Sequence, residues 1–341
     1  MKKVAVVILN WNGMKLLEQF LPSVVSYTSS ALAEIVVADN ASTDDSVSFI
    51  RANYPNIRLL ELDQNYGFAE GYNRALREIE AEYFVLLNSD VEVSENWLEP
   101  LVYQLDSNEQ VAAVQPKICA FRDKEYFEYA GAAGGFIDKY GYPFCRGRIF
   151  TSLEKDQGQY DSVADIFWAT GACLVIRSKD YFSAGGLDAS FFAHMEEIDL
   201  CWRLNARRRI LQCVPQSVVY HVGGATLNQE SPRKTFLNFR NNLLMLYKNL
   251  PDSKFKSIYK VRKMLDRVAA LKFLLTGNIA NAKAVLDAYK DFVNIRSKYD
   301  SIRLDNLNKT TQKVIPTQFN KSILSAYYLK GKKVYSALKN F

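Results

Sequence analysis

The chain predicts an α/β fold: a mostly parallel central sheet with helices on both faces, followed by a C-terminal helical extension. Three observations carry this. From Val4 to Leu87, apolar runs of strand length alternate at short spacing with segments of helical period, as successive strand–helix units do. Polar residues, Asn10, Asp39, Asn65 and Asp90, fall at the carboxyl ends of the strands, where such sheets place their ligands. After Ser231 the strand signals stop and long apolar stripes appear among basic residues.

Val4–Leu9 reads as a buried strand, and Met14 to Tyr27 as a helix with Leu16, Leu17, Phe20, Leu21 and Val24 on one face. Ile35–Ala38 is a second strand. Ser42, Thr43 and Asp45 then give start signals for a helix over Ser46–Ala52. Ile57–Leu62 is a third strand, Phe68–Ile79 a helix and Tyr83–Leu87 a fourth strand. Between Cys119 and Asp165 glycines and aromatics dominate, which predicts loops and short strands over a site. Order returns with a strand at Ala172–Ile176, a helix from Glu196 to Arg207, and short strands at Leu211–Val214 and Val218–Tyr220. Beyond them, Phe236–Leu250 reads as helix, and two further stripes run Phe255–Ala269 and Ile279–Phe292. Lys309–Phe341 is basic, aromatic and poorly patterned.

With 341 residues, 48% of them hydrophobic, the chain suits one large domain with an appendage. The five scattered cysteines form no Cys-x-x-Cys pair, which argues against a disulfide framework or zinc ribbon and for a reducing compartment. No apolar run approaches the roughly 18 residues of a membrane span. Charge is divided: residues 254–341 carry a balance of +14 and the preceding residues −8. A basic appendage on an acidic body points to an anionic surface as partner. Nucleic acid fits poorly, since no recognition module accompanies the basic residues.

The chemistry-bearing residues come in a fixed order. Val7-Ile8-Leu9-Asn10-Trp11-Asn12-Gly13 exposes amide groups at a strand tip. Val37-Ala38-Asp39-Asn40-Ala41-Ser42 ends a strand on a carboxylate able to accept from an imide N–H of a base. Asn65-Tyr66-Gly67-Phe68-Ala69-Glu70-Gly71-Tyr72-Asn73 opens a helix with glycines that let a ligand approach. Asn88-Ser89-Asp90 ends a buried strand, and Asp90 can hold a divalent cation. Trp168 and Gly171 precede the strand at 172, and an indole can stack on a sugar face. Glu196 and Glu197 open a helix, with Asp199 and Arg203 spaced for a helical ion pair. Val219-Tyr220-His221-Val222-Gly223-Gly224-Ala225 holds one of two histidines, and Arg240 lies in Phe239-Arg240-Asn241-Asn242.

In this order the motifs resemble family 2 glycosyltransferases of the GT-A fold, especially the rhamnosyltransferase-like branch, over about Lys3 to Asn242. The resemblance implies a GT-A catalytic domain over 1–235, with a nucleotide-binding half at 1–118 and an acceptor half at 119–235. A helical extension at 236–300 and a basic tail at 301–341 would follow. It implies that Asn10, Asn12, Asp39, Asn40, Asn65, Gly67, Asn73, Asn88, Asp90 and Arg240 meet the nucleotide sugar, Arg240 through phosphate. Trp168 and Gly171 would line the acceptor and sugar pocket. The family's Asp-x-Asp becomes Asn88-Ser89-Asp90 here, leaving Asp90 to bind Mg²⁺ or Mn²⁺ with fewer protein carboxylates. Some members use a histidine at His221 as a further metal ligand; packing is the other reading. Glu197 takes the place of the base-bearing Asp, with Glu196 as the alternative.

The implied reaction is inverting transfer from a dTDP- or UDP-linked sugar, rhamnose foremost, to a hydroxyl of a glycan or lipid-linked acceptor. The implied place is cytoplasmic, on the inner face of a bacterial plasma membrane. Two other classes stay open, a nucleotidyltransferase and a non-catalytic nucleotide-sugar or glycan binder. The first normally carries a basic glycine-rich loop after its first strand, which Asn10-Trp11-Asn12-Gly13 lacks.

Overall fold

In the computed structural model, residues 2–223 and 231–338 are described. The amino-terminal half alternates as expected: β1 (Val4–Asn10), α1 (Met14–Tyr27), β2 (Ala33–Asp39), α2 (Ser46–Asn53), β3 (Arg58–Glu61), α3 (Gly67–Arg77) and β4 (Tyr83–Asn88). Parallel pairing sets the order β4-β1-β2-β3. Alternation of side chains into two cores explains why β1 and β4 are apolar almost throughout, while the edge strand β3 (Arg58–Glu61) is not. Val4, Val6 and Ile8 enter one core with Leu17, Leu21 and Val24 of α1. Ala5 and Val7 enter the opposite core with Ala69, Tyr72 and Leu76 of α3.

Beyond β4 the sheet becomes mixed rather than mostly parallel. After β5 (Val91–Val93) and α4 (Glu99–Ser107) comes β6 (Val111–Ala120), a ten-residue buried strand. The glycine–aromatic region forms a second sheet from β7 (Gly135–Asp138), β8 (Pro143–Cys145), β9 (Arg148–Ile149) and β10 (Ser152–Leu153). Next come β11 (Ala164–Asp165), β12 (Cys173–Arg177), α5 (Ser178–Ala184), α6 (Glu196–Ala206) and β13 (Ile210–His221). β12 lies antiparallel between β4 and β6, and β13 runs parallel to β6. The two short strands expected near 211 and 218 are one strand with a register shift between Val214 and Val218. Pro215 sits in that shift, as a residue with no N–H for the ladder must.

The remaining helices are α7 (Pro232–Asn249), α8 (Asp252–Leu275), α9 (Ile279–Ile295) and α10 (Asp300–Lys309). α7 is locked to α6 by buried charges. Lys248 Nζ lies 2.8 Å from Asp199 Oδ2, which also pairs with Arg203 at 3.0 Å. The basic, poorly patterned end of the chain packs back: β14 (Gln318–Phe319) joins β7 in parallel, and Ile323, Tyr327 and Leu338 are buried. Gly224 and Ala225 of the His221 motif, and the last three residues of the chain, lie outside the described residues.

Candidate active site

Strand register gathers the polar tips. Asn10 stands beside Asp39 across β1–β2, Leu9 beside Asn88 across β1–β4, and His221 beside Val91 across β13–β5. Asn10 Nδ2 donates to Asp39 Oδ1 at 3.0 Å, and Ser42 N donates to Asp39 Oδ2 at 2.8 Å. Asn12 caps the same turn by accepting from Thr43 N at 2.7 Å. Asn40 reaches the next loop, donating to Asn65 Oδ1 at 3.1 Å and to Gly67 O at 3.0 Å. Asn65 in turn accepts from Gly67 N at 2.8 Å. These contacts stiffen three strand ends into one wall. Gly67 has φ +73° and lies against the Phe192 ring so closely that a Cβ would come within 2.6 Å of it. Only glycine suits both the dihedral and the approach.

The wall continues to Asp90. Its carboxylate is buried, and His221 Nε2 lies 3.1 Å from Asp90 Oδ1 while His221 Nδ1 faces Glu128 Oε2 at 3.4 Å. Burial alone would lower the imidazole, but hydrogen bonds to Asp90 and Glu128 outweigh it and raise His221 to about 10. Asn88 Nδ2 sits 3.4 Å from the same Nε2. Glu128 carried no signal in the sequence, because it lies in the loosely patterned glycine–aromatic stretch. A lone carboxylate among Phe127, Tyr129 and Gly131 was the one available hint.

Two adjacent octahedral ligands at 2.0–2.1 Å from a cation stand about 3 Å apart. The 3.1 Å between Asp90 Oδ1 and His221 Nε2 is a hydrogen-bond distance that also matches this spacing, so a divalent ion could take both atoms once it displaced the proton between them. Among the described residues no group of three or more His, Cys, Asp and Glu side chains forms a closed metal cage. Such a cation would take its other ligands from water and a diphosphate, as magnesium sites do.

Glu196 and Glu197 open α6 at the end of a strained turn. Phe192, His194 and Met195 all have positive φ, 64°, 71° and 73°, a region costing L-residues about 1–2 kcal/mol each. α7 holds this turn: Asn241 Nδ2 donates to Phe191 O, Ala193 O and His194 O at 2.8–2.9 Å. Phe68 N donates to Phe192 O at 3.0 Å, which ties the turn to the Gly67 wall. Glu196 is buried and Glu197 partly so, and each has one buried oxygen without a hydrogen-bond partner. Burial raises Glu197 to about 7. Burial, then the charge of Glu197, raises Glu196 well above the ordinary carboxylate range. The nearby His194 imidazole is lowered to about 4 by burial and then by Lys234.

Three expected ligand contacts are instead structural. Asn73 donates to Leu187 O at 2.8 Å and accepts from Tyr181 OH at 2.7 Å and Leu187 N at 3.0 Å, so its amide is occupied inside the protein. Trp168 is buried with Nε1 donating to Phe136 O at 3.0 Å, and its indole packs on Gly135, so it is a core aromatic. Arg240 donates to Ser190 O at 3.1 Å and to Asn241 Oδ1 at 2.9 Å, gripping the turn before α6 in place of a phosphate. Gly171 packs on the Phe68 ring, where an added Cβ would come within 3.2 Å. Replacing Asn73 by Ala strands the Leu187 N–H and should destabilise the fold by about 1–3 kcal/mol. Urea unfolding measures this, while donor affinity of the folded variant stays unchanged.

The comparisons with known proteins agree with this geometry. The model for glycosyl transferase family 2 matches residues 5–162. N-acetylglucosaminyl-diphospho-decaprenol L-rhamnosyltransferase of Mycobacterium tuberculosis is 26% identical over 223 residues, covering 60% of this chain and 71% of that protein. Rhamnosyltransferase WbbL of Escherichia coli K12 is 24% identical over 202 residues, covering 53% and 75%. In fold the chain is similar to GalNAc-T7, crystallised with UDP, GalNAc and Mn²⁺, at a TM-score of 0.60 and 18% identity. That superposition takes in 74% of this chain and 49% of the longer one. With the strand tips, the carboxylate pair and the matched segment in one frame, the chain has the GT-A fold, matches family 2 glycosyltransferases over residues 5–162, and is similar to rhamnosyltransferases.

Proposed function

We propose that the enzyme transfers a sugar, with inversion, from a nucleoside diphosphate donor to a hydroxyl of a lipid-linked or glycan acceptor at the inner face of the membrane. The observation that carries this is the pairing of Asp90 with His221 at one end of the strand-tip wall and a high-pKa carboxylate at the other. The wall is continuous from Asp39 through Asn40 and Gly67 to Phe192. Asp39, Asn10 and Asn12 offer the polar edge for base and ribose. Asp90 and His221 are the residues that would hold Mg²⁺ or Mn²⁺. When bound, such a cation neutralises charge building on the departing diphosphate.

Glu197 is the base. Raised to about 7 by burial, it is poised to exchange a proton near neutral pH. Glu197 takes the proton from the acceptor hydroxyl as that oxygen bonds to the anomeric carbon. The bond from that carbon to the diphosphate oxygen breaks on the opposite face, and its electron pair leaves with the nucleotide. The rhamnosyltransferase relatives, one with a lipid diphosphate in its name, favour rhamnose as the sugar; a dTDP- or UDP-linked donor is the form we propose, UDP being what the structural neighbour GalNAc-T7 was crystallised with.

Thermal shift against dTDP-rhamnose, UDP-GlcNAc and GDP-mannose, with and without Mn²⁺, tests the donor side. Binding at a hundred times Kd contributes about 2.7 kcal/mol, a clear rise in Tm. One donor should give that rise only with metal; metal-independent stabilisation by none or all would sink the reading.

A further inference from the structure

α8 carries an apolar stripe that nothing among the described residues covers. Its buried side is defined by Phe255, Arg262, Asp266 and Ala270. At 3.6 residues per turn the opposite side is Met264, Val268, Leu271 and Leu275. These are 60%, 60%, 53% and 80% exposed. A helix side facing water is normally polar, so four large apolar residues in register there require an explanation.

The charges flanking the stripe are of one sign. Lys260, Lys263 and Arg267 border it on one side and Lys272 on the other, all exposed. Lys260, Lys263, Met264, Arg267, Val268 and Leu271 line one shallow groove. The only carboxylate between Lys254 and Leu275 is Asp266. It is buried, taken up by Arg262 and by the hydroxyls of Tyr142 and Tyr289 at 2.6 and 2.7 Å. The other acid of α8, Asp252 in its first turn, pairs with Arg303 at 2.7 Å, so no acid of α8 stands beside the stripe to offset its cations.

The end of the chain extends the same surface. Lys272 Nζ lies 6.0 Å from the centre of the Tyr328 ring, which places residues 325–333 at the carboxyl end of α8. There Leu329 is 82% exposed and is followed by Lys330, Lys332 and Lys333. Across the turn after α8, Ile279 is 69% exposed.

We propose that this face of α8, with Tyr328 and Leu329, is a docking surface for an anionic lipid bilayer. An apolar centre with a cationic border is what an interfacial helix presents to acyl chains and headgroups. Tyrosine, apolar in its ring and polar at its tip, suits that boundary. A second copy of the chain is the poorer occupant, since two such faces would bring like charges together. Among the described residues no helix is long and apolar enough to cross a membrane, so the contact lies along the surface. The proposal rests on the transferase reading only for its purpose, which is to hold the enzyme beside a lipid-linked acceptor.

Sedimentation of the full chain with vesicles tests it, comparing phosphatidylcholine alone with a mixture containing 30% phosphatidylglycerol. Val268→Glu with Leu271→Glu changes only exposed residues, and circular dichroism and Tm verify the fold. Lys260→Ala with Lys263→Ala and Arg267→Ala tests the charges. The wild type should bind the anionic vesicles and release them in high salt. The apolar variant should lose at least tenfold in binding, and the charge variant about fivefold for each cation removed. Donor turnover in vesicle-free solution should be unchanged in both. Absence of wild-type binding, or unaltered binding by the folded variants, overturns the proposal. So does a wild-type dimer that the glutamates dissociate, which would assign the face to a second copy. A protein that binds vesicles yet transfers no sugar refutes the transferase reading and leaves the docking surface standing.

Discussion

Glu197→Gln lowers turnover by about 10²–10⁴-fold, the range a positioned base contributes, while metal-dependent donor stabilisation persists. The substitution keeps the side chain's volume and one oxygen but removes the proton acceptor. In the wild type, kcat/KM should rise tenfold per pH step below about 7 and level off above it, because the proposed base must be ionised to accept a proton. The stability effect has the opposite sign. A carboxylate raised from 4.5 to about 7 on folding binds its proton more tightly in the native state. Its contribution is therefore present below the unfolded value and lost as pH climbs through about 7. The Gln variant should be more stable than the wild type at pH 8, and the difference should vanish towards pH 4. A variant that turns over normally would remove Glu197 from the reaction; the same series on Glu196→Gln tests the neighbour.

Asp90→Asn should abolish the metal requirement by abolishing the activity. Loss of the carboxylate proposed to hold the cation should cost about 10²–10³-fold in kcat, as expected when metal stabilisation of a leaving group worth several kcal/mol is forfeited. Titration of donor with Mn²⁺ should then show no synergy between the two. The imidazole gives a separate readout. Asp90 supplies the larger part of the attraction that holds His221 near 10, so the His221 resonance in proton NMR should titrate lower in the variant. Normal turnover with Mn²⁺ in Asp90→Asn would move the cation to another place, and an unmoved His221 titration would refute the contact itself.

The parallel half of the sheet was legible because its central strands β1 and β4 are buried on both faces and its helices show an apolar side. β1 and α1 follow their predicted spans to within a residue. β6 left no strand signal although nearly all of it is buried, since Gln115, Pro116 and Lys117 interrupt its apolar run. The second sheet is built of strands two to four residues long, too short to display a period. At the site, motif order named the residues but not the direction of their bonds. An asparagine meeting a ligand and one meeting Leu187 O look alike in a string of letters, which is why Asn73 and Arg240 were assigned outward contacts and make inward ones. Asn241, next to Arg240, proves to support the turn before the two glutamates, and only the carbonyl positions could reveal that.

The pairing of β14 with β7 bears on how the protein is born. Residues 318–319 complete a sheet whose other strands lie between 135 and 153. A growing polypeptide must therefore leave the β7 edge without its neighbour while well over 150 further residues are translated. Unpaired edges invite wrong partners, and contacts this distant in sequence form late. Ribosome-bound chains halted before residue 318 should be the species most dependent on chaperones, and prone to aggregate when chaperones are scarce.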